Sequence, residues 1–170
     1  FGKSFNEVDI EKNEETLPIY IRMNNEKIEG IALPIAGKGL WSTIFGYIAL
    51  NPDTDSVLGI QFYKHGETPG LGGEVEKKWF TDNFVNHPIK ESNGEITYVP
   101  KKIRNENGKI ISISVIKGGV DYSKSNKSAI HQVDGISGAT VTADGVSDFL
   151  LEDLLRYEKT LDKIRDYGTI

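Results

Sequence analysis

The sequence predicts an α+β fold: one domain with antiparallel sheet, a few short helices and a long C-terminal amphipathic helix. Three observations predict it. Short stretches of alternating apolar and polar residues recur through the chain, separated by turn-forming residues. The C-terminal segment spaces its apolar residues at three and four. Strands and helices do not follow one another in the regular βαβ order that a parallel sheet requires.

The elements follow in order. Residues 1–17, rich in Asn and Glu, read as a polar lead-in, and the domain proper is expected over 18–170. Pro18 to Met23 predicts a strand with Ile19 and Ile21 on one face. Asn24-Asn25 predicts a hairpin turn into a strand over Lys27 to Ile35, and Gly37-Lys38-Gly39 predicts a break. Strands are expected over Thr43 to Leu50 and Ser56 to Lys64, joined by the turn Asn51-Pro52-Asp53-Thr54-Asp55. His65 to Gly73 is a glycine-rich loop. Glu74 to Phe84, with Val75, Trp79 and Phe80, predicts a short amphipathic helix. The polar segment Asn86 to Gly108 has no assignable pattern. Lys109 to Ile116 alternates Ile111, Ile113 and Val115 with serines and predicts a strand, and Asp121 to Ser128 a polar loop. The closing helix is expected to start at Thr142 as N-cap, with Asp144 in its first turn. Its buried face is expected to carry Val146, Phe149, Leu150, Leu154, Tyr157, Leu161 and Ile164, with Arg165 and Gly168 as stop signals.

Composition excludes several function classes. A net charge of −5 on 170 residues argues against a nucleic-acid binder or a basic membrane-surface protein. With no cysteine, there are no disulfides, thiolate metal sites, iron–sulfur clusters or cysteine nucleophiles. His65, His87 and His131 are too scattered for a metal-site motif, and Asp53 with Asp55 lacks the frame of a calcium loop. The chain opens Phe1-Gly2-Lys3 with no initiator methionine, as expected if an N-terminal membrane anchor has been removed.

Three segments are candidates for a ligand site. Gly37-Lys38-Gly39-Leu40-Trp41-Ser42 joins flexible backbone to an indole and a hydroxyl. Glu67-Thr68-Pro69-Gly70-Leu71-Gly72 combines rigid and flexible positions. Asp134-Gly135-Ile136-Ser137-Gly138-Ala139-Thr140-Val141-Thr142 sets glycines and hydroxyls at a helix N-terminus, where free N–H groups and the helix dipole favour an anion. Each alone is ordinary turn chemistry. Together they meet the needs of a planar aromatic ligand: close backbone approach, an apolar wall and a few polar anchors. Neither the Rossmann fingerprint nor a P-loop is present. Ala139 replaces the second glycine of a hydrolase elbow around Ser137, and a triad of Ser137, His131 and Asp134 is disfavoured. Residue chemistry leaves Ser137, Thr140 and Thr142 equally open as an attachment point.

The Asp134–Thr140 string resembles the flavinylation motif of FMN-binding domains in bacterial redox-driven ion pumps. The Gly37–Ser42 and Glu67–Gly72 segments match two further hallmarks in the same order. The combination is similar to the NqrC family, flavin-carrying subunits of the Na⁺-translocating NADH:quinone oxidoreductase. The FMN-binding subunit of the related ion-translocating electron-transport complex shares two of the elements, and a reversible small-ligand module is the alternative from another class.

The resemblance implies FMN attached by a phosphoester to Thr140, placed there by a flavin transferase; a preparation made without that enzyme is expected to lack it. It implies that Ser137, Gly138 and Ala139 give the linker and transferase close access. Leu40, Trp41 and Ser42 would wall the flavin. Thr68, Gly70, Leu71 and Gly72 would contact its ring system, with Glu67 orienting their loop. The implied role is electron relay between subunits of a sodium-exporting pump, with no substrate turnover and no metal in this domain. The implied location is the outer face of the bacterial cytoplasmic membrane, held by an N-terminal helix.

Overall fold

The computed structural model describes residues 5–12, 15–91, 93–123 and 126–167. Its centre is a five-stranded antiparallel sheet in the order β1-β2-β3-β4-β5, formed by Phe5–Lys12, Glu15–Asn24, Lys27–Lys38, Thr43–Leu50 and Val57–Lys64. One face buries Ile19, Ile31, Leu33, Ile35, Ile44, Ile48 and Leu50. Two small sheets complete the β structure: the hairpin β6 (Asn86–Lys90) with β7 (Ile96–Pro100), and the parallel pair β8 (Ser114–Ile116) with β9 (Gln132–Asp134). Helix α1 is short (Lys78–Thr81), and α2 spans Thr140–Tyr167. The predicted α+β class holds.

Helix α2 closes the core. Val146, Phe149, Leu150, Leu154, Tyr157 and Leu161 are buried as the spacing predicts, and Ile164 packs at the margin. Two polar ties fix its position on the sheet: the backbone N–H of Ala36 donates to Asp153 at 2.8 Å, and the Tyr157 hydroxyl donates to the Pro18 carbonyl at 3.0 Å. Contact with β3 is close enough that a Cβ added at Gly145 would lie 2.2 Å from the Lys38 carbonyl oxygen.

Several expectations are corrected. The polar lead-in predicted over 1–17 is strand over Phe5–Lys12 and from Glu15 onward. The alternation Val8-Asp9-Ile10-Glu11 is compatible with a strand, and pairing with β2 satisfies the backbone. The first hairpin turns one residue later than expected, through Asn25 (φ 46°) and Glu26 (φ 68°), the left-handed pair of a type I′ turn. The break expected at Gly37 starts at Gly39, because β3 runs on to Lys38 beneath α2. Ser56 joins Lys102 in an isolated bridge, and β5 begins at Val57.

The helix expected over 74–84 is three short pieces, interrupted at Lys77, whose ψ of 142° is extended. Val75, Phe80 and Phe84 are buried, but Trp79 stands half-exposed with its indole N–H on Glu74 at 3.0 Å. The strand expected over 109–116 shrinks to Ser114–Ile116 because Ser112 has φ 65°, which breaks the pleat and leaves Ile111 outside. Residues 86–108 contain a surface hairpin whose Ile96 and Tyr98 are exposed, so no core imposes an alternation on their sequence. The loop expected over 121–128 passes into a 3-10 turn over Lys127–His131, and residues 124 and 125 lie outside the described residues, as does the predicted stop signal Gly168.

Phe149 lies against Gly37 and meets Phe62 edge-on, with ring centroids 6.4 Å apart. Phe149→Ala should therefore cost about 3–5 kcal/mol of stability, read as a lower midpoint in urea unfolding with an unchanged slope.

Candidate functional site

The three candidate segments meet at one side chain. Glu67 is buried, 5% exposed, and its carboxylate accepts five hydrogen bonds. Oε1 receives the N–H groups of Trp41 and Ser42, both at 3.0 Å, and the Ser42 hydroxyl at 3.2 Å. Oε2 receives the Leu40 N–H at 3.2 Å and the Thr142 hydroxyl at 2.7 Å. The Ser42 hydroxyl in turn accepts the Gly66 N–H at 2.7 Å. Burial alone would raise the Glu67 pKa. The Thr142 hydroxyl and the N–H groups of Trp41, Ser42 and Leu40 outweigh it and hold the group below its ordinary value.

Glycines wall this carboxylate. A Cβ at Gly72 would lie 2.6 Å from the Thr142 hydroxyl and 2.7 Å from Oε2 of Glu67, and one at Gly39 would lie 2.8 Å from Oε1. The need for glycine at both positions is thus explained by an internal contact. Thr142 is 1% exposed and lies inside the first turn of α2, not at its cap. The helix begins at Thr140, so the cap position falls at Ala139, three residues earlier than expected, and Asp144 lies beyond the first turn. Ala139 precedes the helix, its carbonyl accepting the Ala143 N–H at 3.0 Å.

A cleft of about 320 Å³ opens beside this helix start. One wall is the motif itself, with Gly135, Ile136, Ser137, Gly138 and Thr140; the other is the end of β8, Val115 to Gly118, including Lys117. Ser137, Gly138 and Thr140 are exposed, while Ala139 is buried. No sequence signal announces the second wall, since only the parallel pairing of β8 with β9 brings Ile116 opposite Asp134. Leu40 and Trp41 stand exposed at 43% and 70%, and Leu71 at 43%, reaching within 2.9 Å of where a Gly138 Cβ would sit. Thr68 and Gly70 are exposed on the same loop, and Gly72 is buried beneath Thr142.

Other candidates resolve into structure. Asp134 accepts the Val120 N–H at 2.7 Å and the Tyr122 hydroxyl at 3.3 Å, while His131 Nδ1 pairs with the Lys102 carbonyl at 2.7 Å. Both side chains are thus engaged away from Ser137, and the triad is not assembled. Asp53 caps its own turn through the N–H groups of Asp55 and Ser56. Lys101, which no sequence pattern marks, is fully buried beneath the strand entering the motif. Its ammonium donates to the carbonyls of Ala129 and Gln132 and lies over the Tyr122 ring. Burial pushes its pKa down to about 8, against the opposing pull of Asp134. Among the described residues, no cluster of His, Cys, Asp and Glu suits a metal, and no helix is long and apolar enough to cross a membrane.

Comparison with known proteins follows the same outline. The FMN-binding domain family model matches residues 39–152. The NqrC subunit of the Na⁺-translocating NADH-quinone reductase of Vibrio vulnificus is 39% identical over 153 residues, covering 88% of this chain and 52% of that protein. Its counterpart in Pseudomonas aeruginosa is 36% identical over 141 residues, covering 83% and 48%. The crystal structure of the same subunit from Parabacteroides distasonis superposes with a TM-score of 0.69 at 31% identity, covering 87% of this chain and 64% of that one. The chain spans about half the length of the curated relatives it matches.

The electrostatics of Glu67 set a pH dependence. A carboxylate with a depressed folded pKa stabilises the fold above its unfolded pKa, and that stability is lost as pH falls through the folded value. The stability advantage of the wild type over Glu67→Gln should therefore be full at neutral pH and shrink as pH drops below about 4.5, measured by urea unfolding across a pH series.

Proposed function

This chain belongs to the FMN-binding domain family, and from that premise we propose that it is an electron-carrying subunit holding FMN as a phosphoester on Thr140. The observation that carries the reading is the division of labour among the motif hydroxyls. Thr142 is buried and donates to Glu67, whereas Thr140 is exposed, begins the helix and lines the cleft. Ser137 also lines the cleft, and the family resemblance favours Thr140 over it.

The residues present fit a flavin nucleotide. The start of a 28-residue helix offers N–H groups and a positive dipole end to a phosphodiester, and Lys117 adds a cation to the cleft, which Asp144 also lines. Val115 and Ile116 supply apolar wall, and Leu40, Trp41 and Leu71 are exposed apolar surface near the same helix start. When bound there, FMN supplies reversible electron transfer. The chain's own residues would anchor the phosphate and orient the linker.

Attachment balances as a phosphoryl transfer. Thr140 would hold the phosphate through its Oγ: ester formation with the flavin-side phosphorus of a flavin dinucleotide would break the P–O–P bond and release a nucleoside monophosphate, the hydroxyl proton going to a base of the transferase. We further propose that the parent protein is the NqrC subunit of a Na⁺-translocating NADH:quinone reductase. Support comes from relatives of that name at 36% and 39% identity. In that setting the domain relays electrons between partner subunits on the outer face of the bacterial cytoplasmic membrane, tethered by an N-terminal helix.

Incubation with a purified flavin transferase and flavin dinucleotide should add the mass of one FMN less one water. Thr140→Ala should abolish the gain, and Ser137→Ala should retain it, as read by intact mass spectrometry. A gain that survives Thr140→Ala would overturn the assignment.

A further inference from the structure

Glu67 does not line the cleft, yet its carboxylate binds the first turn of the helix that begins at Thr140. We propose that Glu67 is a positioning residue for Thr140: by holding the Thr142 hydroxyl, it fixes the rotation of the first turn of α2 and turns the Thr140 side chain to the cleft. The inference rests on Thr140 being the attachment residue.

The geometry of a helix makes the coupling direct. At 3.6 residues per turn, side chains two positions apart point about 200° away from each other. Drawing Thr142 inward to a buried carboxylate therefore drives Thr140 outward, and the two are 1% exposed and exposed respectively. The rotation has little slack, because Gly72 and Gly39 close the space around the pair to within a methyl group's reach. The helix start also lacks a side-chain cap at the residue before it: Ala139 has no polar atom to offer the free N–H groups. The Glu67–Thr142 bond is the side-chain anchor that this turn has instead.

The same carboxylate holds the Leu40–Ser42 turn through three backbone N–H groups. Loss of Glu67 thus releases both the helix start and the turn bearing Trp41. Loss of the Thr142 hydroxyl releases the helix start alone, since the N–H bonds to Glu67 remain. This difference separates positioning of Thr140 from a general weakening of the fold.

The test measures the initial rate of transferase-catalysed flavin attachment on purified chains, alongside amide hydrogen exchange on the unmodified chains. Thr142→Val, nearly isosteric, should slow attachment about tenfold, the scale expected for losing one hydrogen bond to a charged group. It should also speed exchange at the Ala143 amide while leaving the Leu40–Ser42 amides protected. Thr142→Ser, which restores the hydroxyl, should recover the wild-type rate. Glu67→Ala should slow attachment at least as much and expose both sets of amides; if it unfolds, the Thr142 pair decides. Attachment to Thr142→Val at the wild-type rate would overturn the inference. No attachment to the wild type under conditions that modify a known substrate would overturn the reading on which it rests.

Discussion

The arrangement around the helix start depends on a buried carboxylate whose hydrogen-bonding capacity is almost fully used. A charge removed from water is costly unless hydrogen-bonded, and Glu67 meets that cost with two hydroxyls and three backbone N–H groups. Those donors lie 25 to 75 positions from Glu67 in the chain. Satisfying the charge therefore brings a turn, a loop and a helix to one point. Gly39 and Gly72 permit the approach, and neither position has room for a side chain.

The second constraint is the seating of α2 on the sheet. Its apolar stripe buries Val146 to Leu161, and its beginning lies backbone to backbone on the end of β3, where Gly145 faces the Lys38 carbonyl. A helix held this way at its N-terminal end presents a fixed set of N–H groups to the cleft. The opposite wall, Val115 to Gly118, reaches that position through the parallel pairing of β8 with β9. A cleft built from two such packed elements has its walls fixed on both sides of the helix start. Lys101, buried beneath β9, holds the strand that enters the motif through the carbonyls of Ala129 and Gln132.

Local patterns are legible where burial imposes them. The alternation of Thr43–Leu50 and the stripe of α2 both face the core, and in both the sequence pattern matches the observed element. The surface hairpin over 86–100 carries no such imprint, since Ile96 and Tyr98 of β7 face solvent rather than a partner element. The apolar spacing over 109–116 is genuine, yet the strand it suggests is cut short because Ser112 adopts a left-handed backbone that no composition announces. Threonine before an acidic residue suits a helix cap, which is why Thr142 reads as one in the sequence. A long-range acceptor, Glu67, claims its hydroxyl instead.

The sequence by itself determined the α+β class and the long closing helix and marked three segments that the fold brings to Glu67, because periodicity and motif wording are local properties. It left Ser137, Thr140 and Thr142 equivalent, since all are hydroxyls within one short stretch. The tertiary structure set Thr142 apart from the other two. Helix rotation and a carboxylate 75 positions away buried one hydroxyl, while the end of a distant strand built a cleft beside the other two. Side-chain direction and long-range pairing are properties of packed elements, and they exist only once the chain has folded.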